Sequence, residues 1–139
     1  MNKRIIVDTS ALIAYSMKFE RKHQMIRSYI KEHPDYELII VSTVFSELMT
    51  WLRQKVHQKY AIPIGTFLRE ECTYHLISQG EDDETWRMYK ETLDKKWSYT
   101  DCSLLAVSKN LNIPLILSID HHFHQMKSFG ITVVPDELL

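Results

Sequence analysis

Short apolar runs alternate along this chain with longer stretches in which apolar residues recur every three or four positions. The runs predict buried strands, because a strand covered on both faces shows no polar alternation. They are Arg4 to Val7, Glu37 to Val41 (ELIIV), Tyr74 to Ile77, Leu115 to Ile119 behind Pro114, and Ile131 to Val134 between Gly130 and Pro135. The stretches between them predict helices over Thr9 to Tyr15, His23 to Glu32, Thr43 to Tyr60, Pro63 to Cys72, Asp82 to Lys96 and Thr100 to Leu111. Val44, Leu48, Trp51, Leu52 and Val56 fall at helical spacing in the third of these. Pro63 suits a first helical turn, and the Asp82 stretch begins acidic and ends basic, as the helix dipole favours. Strands alternating with helices predict an α/β fold with a mostly parallel sheet covered on both faces. Three Gly and four Pro leave room only for short loops. Without a repeat, a low-complexity stretch or a linker, residues 1–139 read as one domain.

Four acids fall at informative places on that map. Asp8 directly follows the first strand and Asp120 directly follows the fourth. Open α/β sheets bind ligands beyond the carboxyl ends of their strands, where strand order reverses. Asp101 sits in Ser98-Tyr99-Thr100-Asp101 at the head of an apolar helix. This Ser-x-x-Asp spacing also reads as a capping box, a role compatible with a second use, since the helix N-terminus keeps a carboxylate ionised. Glu47 lies in the first turns of the helix after the second strand, beside Val44, Leu48 and Trp51, which predicts that it borders the inward face. Each acid alone has a structural reading as a cap, a turn residue or a solvated helix residue. Together, converging carboxylates repel one another, and a hard divalent cation such as Mg²⁺ or Mn²⁺ resolves that repulsion.

Composition changes this picture little. The formal net charge of −1 supplies no overall basic field for nucleic acid. It weighs less against a metal-dependent nuclease, because a bound cation offsets part of the acidic count. Cys72 and Cys102 match no metal-binding spacing and read as free thiols in a reducing cytosol. The start Met1 to Arg4 and Ile5-Ile6-Val7 has the outline of a signal peptide, but Asp8 interrupts the apolar run, and no stretch reaches the length of a membrane span. A cytoplasmic protein with no membrane partner is expected.

Two other phosphoester chemistries are considered. Asp120-His121-His122 has the letters of a DHH phosphoesterase, but the first strand offers Ser10 where that reading needs a second Asp. Asp8-Thr9-Ser10 likewise lacks the second carboxylate of an Asp-x-Asp phosphatase. His121, His122 and His124 are expected on a short surface helix or turn, with contact to metal or RNA left open.

The residues resemble the PIN-domain nucleases, and in particular the VapC-type toxins of toxin–antitoxin pairs. The resemblance is carried by Ile5-Ile6-Val7-Asp8-Thr9-Ser10-Ala11-Leu12-Ile13, by Ser42 to Leu48 with Glu47, by Thr100-Asp101, by Leu117-Ser118-Ile119-Asp120-His121-His122-Phe123, and by Gly130-Ile131-Thr132-Val133-Val134. It covers essentially the whole chain. It implies a three-layer α/β/α fold and Mg²⁺- or Mn²⁺-dependent endoribonuclease activity. Asp8, Asp101 and Asp120 would bind metal, and Glu47 would complete the cluster. Thr9 or Ser10 would support Asp8 and the scissile phosphate, and Ser118 stands where the family usually has Thr. The implied products carry 5′-phosphate and 3′-hydroxyl ends. The implied partners are an RNA substrate, an antitoxin protein and a second copy of the chain, with Trp51 to Phe67 as the candidate contact segment.

Arg53, Lys55, His57 and Lys59, with Lys95 and Lys96 beside Trp97, are either a solvated face or a phosphate-tracking rim, with Trp97 or Tyr99 available for base stacking. Trp86 and Tyr89 belong to a core or to a subunit interface. The rival to an enzyme is a PIN-like module that binds RNA or protein without chemistry. A housekeeping RNA-processing nuclease is a third possibility.

Overall fold

Ile5, Ile6 and Val7 are consecutive and all buried. Neighbouring residues of a strand face opposite ways, so both faces of this strand are covered. It is β1 (Arg4–Val7), the middle strand of a five-stranded, wholly parallel sheet. The computed structural model describes residues 3–135; Met1 and Asn2, part of the signal-like start considered above, lie outside the described residues. β2 (Glu37–Val41), β3 (Thr73–His75), β4 (Leu115–Leu117) and β5 (Thr132–Val134) complete the sheet in the order β3-β2-β1-β4-β5. The chain therefore builds outward from β1 to one edge, then returns to the other side of β1 to add β4 and β5. The reversal between β1 and β4 is the topological switch point.

Helices on both faces give a three-layer α/β/α arrangement. They are α1 (Thr9–Ser16), α2 (His23–Glu32), α3 (Ser42–Trp51), α4 (Gln58–Glu71), α5 (Gln79–Glu91) and α6 (Tyr99–Leu111). The core between the layers joins Ile39, Ile40, Val41, Leu48, Leu104, Ile116 and Leu117. Among the described residues, no helix is long and apolar enough to cross a membrane. Cys72 and Cys102 are both free thiols.

Three predicted boundaries shift. The single helix expected over Thr43 to Tyr60 is instead α3, a π-helical turn at Leu52–Val56, and then a break. The break is at His57, whose backbone is extended (φ −177°) and whose Nδ1 accepts from the Lys59 N–H at 3.1 Å. That cap starts α4 at Gln58, so Pro63 lies inside the helix and not in its first turn. α5 begins at Gln79, ahead of the predicted Asp82, because Ser78 and Glu81 form a reciprocal capping box. α3 and α4 meet closely at Gly65, where an added Cβ would stand 2.9 Å from Met49 Sδ.

β4 stops at Leu117, two residues short of its predicted end. Ser118 N–H still donates to Val134 O at 3.0 Å, but Ile119 N–H turns to Ser10 Oγ at 3.2 Å. The strand is thus bent out of the sheet by a side chain from α1, and Asp120 is carried with it.

Candidate active site at the carboxyl ends of β1 and β4

Asp8 follows β1 and caps α1, with its side chain accepting from Ser10 N–H at 3.3 Å. The same oxygen, Oδ2, accepts from Ser10 Oγ at 2.7 Å and from Ser118 Oγ at 3.0 Å. The Asp8 N–H donates to Leu117 O at 2.9 Å, which continues the β1–β4 pairing into the site. Asp8 is buried. Burial pushes its carboxyl up from the ordinary 3.8 to about 6; the two serine hydroxyls oppose this and the negative charge of Asp101 adds to it. Thr9 is also buried, and its Oγ1 has no hydrogen-bond partner.

Asp101 occupies the third position of α6, in a reciprocal capping box with Ser98. Ser98 N–H donates to Asp101 Oδ2 at 3.0 Å, and Asp101 N–H donates to Ser98 Oγ at 3.0 Å. Burial raises the Asp101 carboxyl above its usual range, and the negative charge of Asp120 adds to the rise; Ser98 and His122 oppose it. Asp120 leads into a 3-10 segment, His121–Phe129, and its Oδ1 accepts from His122 N–H at 3.0 Å. Asp120 N–H donates to Ser118 Oγ at 2.9 Å. His122 Nδ1 stands 3.5 Å from Asp120 Oδ1 and 3.9 Å from Asp101 Oδ2. Asp8, Asp101 and Asp120 are thereby gathered at the switch point, each oriented by a serine: Ser10 and Ser118 on Asp8, Ser98 on Asp101, Ser118 on the Asp120 backbone.

Glu47 is different. It lies on an exposed part of α3, and among the described residues its side chain makes no hydrogen bond or ion pair. Thr43, one turn before it, does reach α6, with Oγ1 2.7 Å from Ser103 Oγ.

The donor set fits a hard divalent cation: three carboxylates on rigid elements, two of them raised by burial and by each other's charge. As the side chains stand, no group of three His, Cys, Asp or Glu among the described residues is placed to hold an ion, so the carboxylates must close in by side-chain rotation. The site is an open edge of the sheet. A cleft of about 640 Å³ lies elsewhere, between Met88 of α5, Leu105 of α6 and Phe129, and none of the four acids lines it.

Several other residues take places that sequence alone did not assign. Trp97 is buried, donates from Nε1 to Gln125 Oε1 at 3.1 Å and packs edge-on to Phe129, so it is a core residue and not a free stacking surface. Tyr99 spends its hydroxyl on Asp82 Oδ1 at 2.7 Å. His75, Ser78 and Asn110 converge on the buried carboxylate of Glu81, a cluster signalled in sequence only by the Ser78-x-x-Glu81 spacing.

The PIN domain profile matches residues 5–128 of this chain. The chain belongs to the PIN-domain family. Solved structures of PIN-domain toxins share the fold. VapC20 from Mycobacterium tuberculosis, described as a Sarcin-Ricin loop cleaving toxin, superposes with a TM-score of 0.80 at 17% identity over 87% of this chain and 93% of that one. DNA-bound VapBC from Salmonella typhimurium gives 0.70 at 12% identity, with 96% and 97% covered. FitAcB from Neisseria gonorrhoeae gives 0.66 at 13% identity, with 93% and 95% covered. No curated protein sequence matches the chain. Within this PIN domain, the three aspartates sit at the carboxyl ends of the strands flanking the switch point, as their sequence positions predict.

Proposed function

We propose that this PIN domain is a Mg²⁺- or Mn²⁺-dependent endoribonuclease and the toxin of a toxin–antitoxin pair. The observation that carries the reading is the gathering of Asp8, Asp101 and Asp120 at one end of the sheet, with Asp8 buried and its carboxyl raised to about 6. The VapC and VapBC structures that share the fold support the toxin role and an antitoxin partner.

In this reading Asp8, Asp101 and Asp120 hold the ion. Glu47 joins them from α3 and positions water or a second ion. When bound, the ion offsets the carboxylate repulsion, lowers the pKa of water and stabilises charge on the phosphodiester. Ser10 and Ser118 fix the rotamer of Asp8, and Ser98 fixes that of Asp101. The position of Thr9 next to Asp8 supports a part for it or Ser10 in bracing the scissile phosphate. The open site suits a polymer that must enter and leave from the side. A second copy of the chain and the antitoxin are proposed to dock on the segment from Trp51 to Phe67, and the whole chain to act as one nuclease domain.

Purified protein, in a preparation shown free of other nucleases, is expected to cut single-stranded or structured RNA with Mg²⁺ or Mn²⁺ and to stop in chelator. Asp8→Asn and Asp101→Asn should abolish cutting while keeping the fold by circular dichroism. Undiminished cutting by Asp8→Asn would refute the assignment. Absence of ion binding at millimolar concentration would leave a binding module as the better account.

A further inference from the structure

The acidic site has a nitrogen at its centre. His122 comes from the 3-10 segment after β4, yet its Nδ1 faces carboxylates from two different elements: Asp120 Oδ1 at 3.5 Å and Asp101 Oδ2, on α6, at 3.9 Å. The first separation is at the outer limit of a hydrogen bond and the second is beyond it, so a proton on Nδ1 does not close the gap to both oxygens. Left bare, Nδ1 points a lone pair at two anionic acceptors. A cation between the three atoms removes that conflict. Two atoms bonded to one small divalent ion, each at about 2.1 Å, stand no more than about 4.2 Å apart. Both separations lie within that span.

The backbone fixes this placement. His122 N–H is tied to Asp120 Oδ1 at 3.0 Å, and Phe123, the next residue, is fully buried and anchors the segment. The His122 side chain is itself partly exposed. It can therefore reach an ion that is open to solvent and substrate on its other side. His121 and His124 lie within 6.1 Å of each other, ring centroid to ring centroid, and neither makes a recorded contact with the acids.

Resting on the metal-dependent reading above, we propose that His122 is a ligand to the catalytic ion, through Nδ1, alongside Asp101 and Asp120. The consequence is selectivity. Imidazole nitrogen suits first-row transition ions, whereas Mg²⁺ prefers an all-oxygen shell. An all-carboxylate site would discriminate weakly between Mg²⁺ and Mn²⁺. This one favours Mn²⁺, so the cutting rate follows Mn²⁺ supply.

The test uses the whole protein and reads binding and spectroscopy as well as cutting. Mn²⁺ and Mg²⁺ are titrated calorimetrically into wild type, His122→Ala, His121→Ala and His124→Ala. Pulsed electron paramagnetic resonance of the Mn²⁺ form then looks for coupling to an imidazole nitrogen, with ¹⁵N-histidine labelling to identify it. The expected result is a histidine nitrogen signal in wild type that survives His121→Ala and His124→Ala and is lost in His122→Ala. His122→Ala should also lose Mn²⁺ affinity by about tenfold or more, a loss at least as large as removing a residue behind a ligand, with Mg²⁺ affinity little changed. Wild type that binds Mn²⁺ without nitrogen coupling overturns the His122 assignment and leaves the aspartate site standing. Equal loss of both ions in His122→Ala also overturns it. Wild type that binds neither ion overturns this inference together with the metal-dependent reading. The wild-type spectrum decides the question even if the alanine variant fails to fold.

Discussion

Asp8 and Ser118 are 110 positions apart in the chain and are joined by a 3.0 Å hydrogen bond from Ser118 Oγ to Asp8 Oδ2. The same hydroxyl accepts from the Asp120 N–H, so one atom sets the orientation of two acids. Removing it frees both. Ser118→Ala should lower RNA cutting by roughly 10- to 100-fold, the range seen when a residue supporting a metal ligand is lost. Ser118→Thr keeps the hydroxyl and should restore most of the rate. Steady-state cutting at fixed Mn²⁺ checks this; an alanine variant as active as wild type would remove Ser118 from the machinery.

The burial of Asp8 predicts a pH dependence of stability in chelator. Its folded carboxyl titrates at about 6, above the ordinary 3.8, so between those values the folded state holds a proton that the unfolded chain has released. The stabilising contribution is full below about 3.8 and is lost as the pH rises through about 6. The shift corresponds to about 3 kcal/mol. Asp101 adds in the same direction. Urea unfolding of the metal-free protein should therefore show Asp8→Asn more stable relative to wild type at pH 7.5 than at pH 4.5. Mn²⁺ should raise wild type at pH 7.5 and leave Asp8→Asn nearly unmoved.

Glu81 predicts the opposite slope. Burial pushes its carboxyl up, but the Ser78 N–H, Asn110 and His75 together outweigh burial and hold it below the ordinary 4.5. Its contribution is present above the ordinary value and is lost as the pH falls through the lower folded one. Because Glu81 ties β3, α5 and α6 together far along the chain from Asp8, Glu81→Ala should destabilise by roughly 2–4 kcal/mol. Cutting by the folded fraction should be unchanged. Denaturant midpoints and specific activity separate the two effects; loss of activity at full foldedness would give Glu81 a role in the site.

The face of α4 predicts a partner. Tyr60, Ile62 and Phe67 are 48%, 63% and 47% exposed, on a helix held to α3 through Gly65 and Met49. Contiguous exposed apolar side chains mark interaction surfaces. Ile62→Asp combined with Phe67→Asp should leave the melting temperature and cutting close to wild type. It should abolish co-purification with the small protein encoded beside this chain, or change the sedimenting mass. Unaltered assembly in both assays would place the contacts elsewhere.

What the sequence determined by itself is local. Strands β1 and β2 were legible because residues buried on both faces must be apolar in succession. The positions of Asp8 and Asp120 at strand ends, and the Ser98–Asp101 cap, follow from neighbours within three residues. Helix ends were less legible. His57 interrupts a helical pattern through a side-chain cap that no apolar periodicity records, and Pro63 in a continuing helix runs against its own propensity.

Only the tertiary structure decided which distant atoms meet. It brought Ser118 and Ser10 onto one oxygen of Asp8, and His122 between Asp101 and Asp120. It buried Trp97, which sequence had offered to RNA, and left Glu47 exposed beside a site it was expected to border. These outcomes depend on the parallel sheet setting β1 beside β4 and on how α3 and α6 turn as they pack. Such relations are fixed by burial summed over the whole core, so no short stretch of sequence contains them.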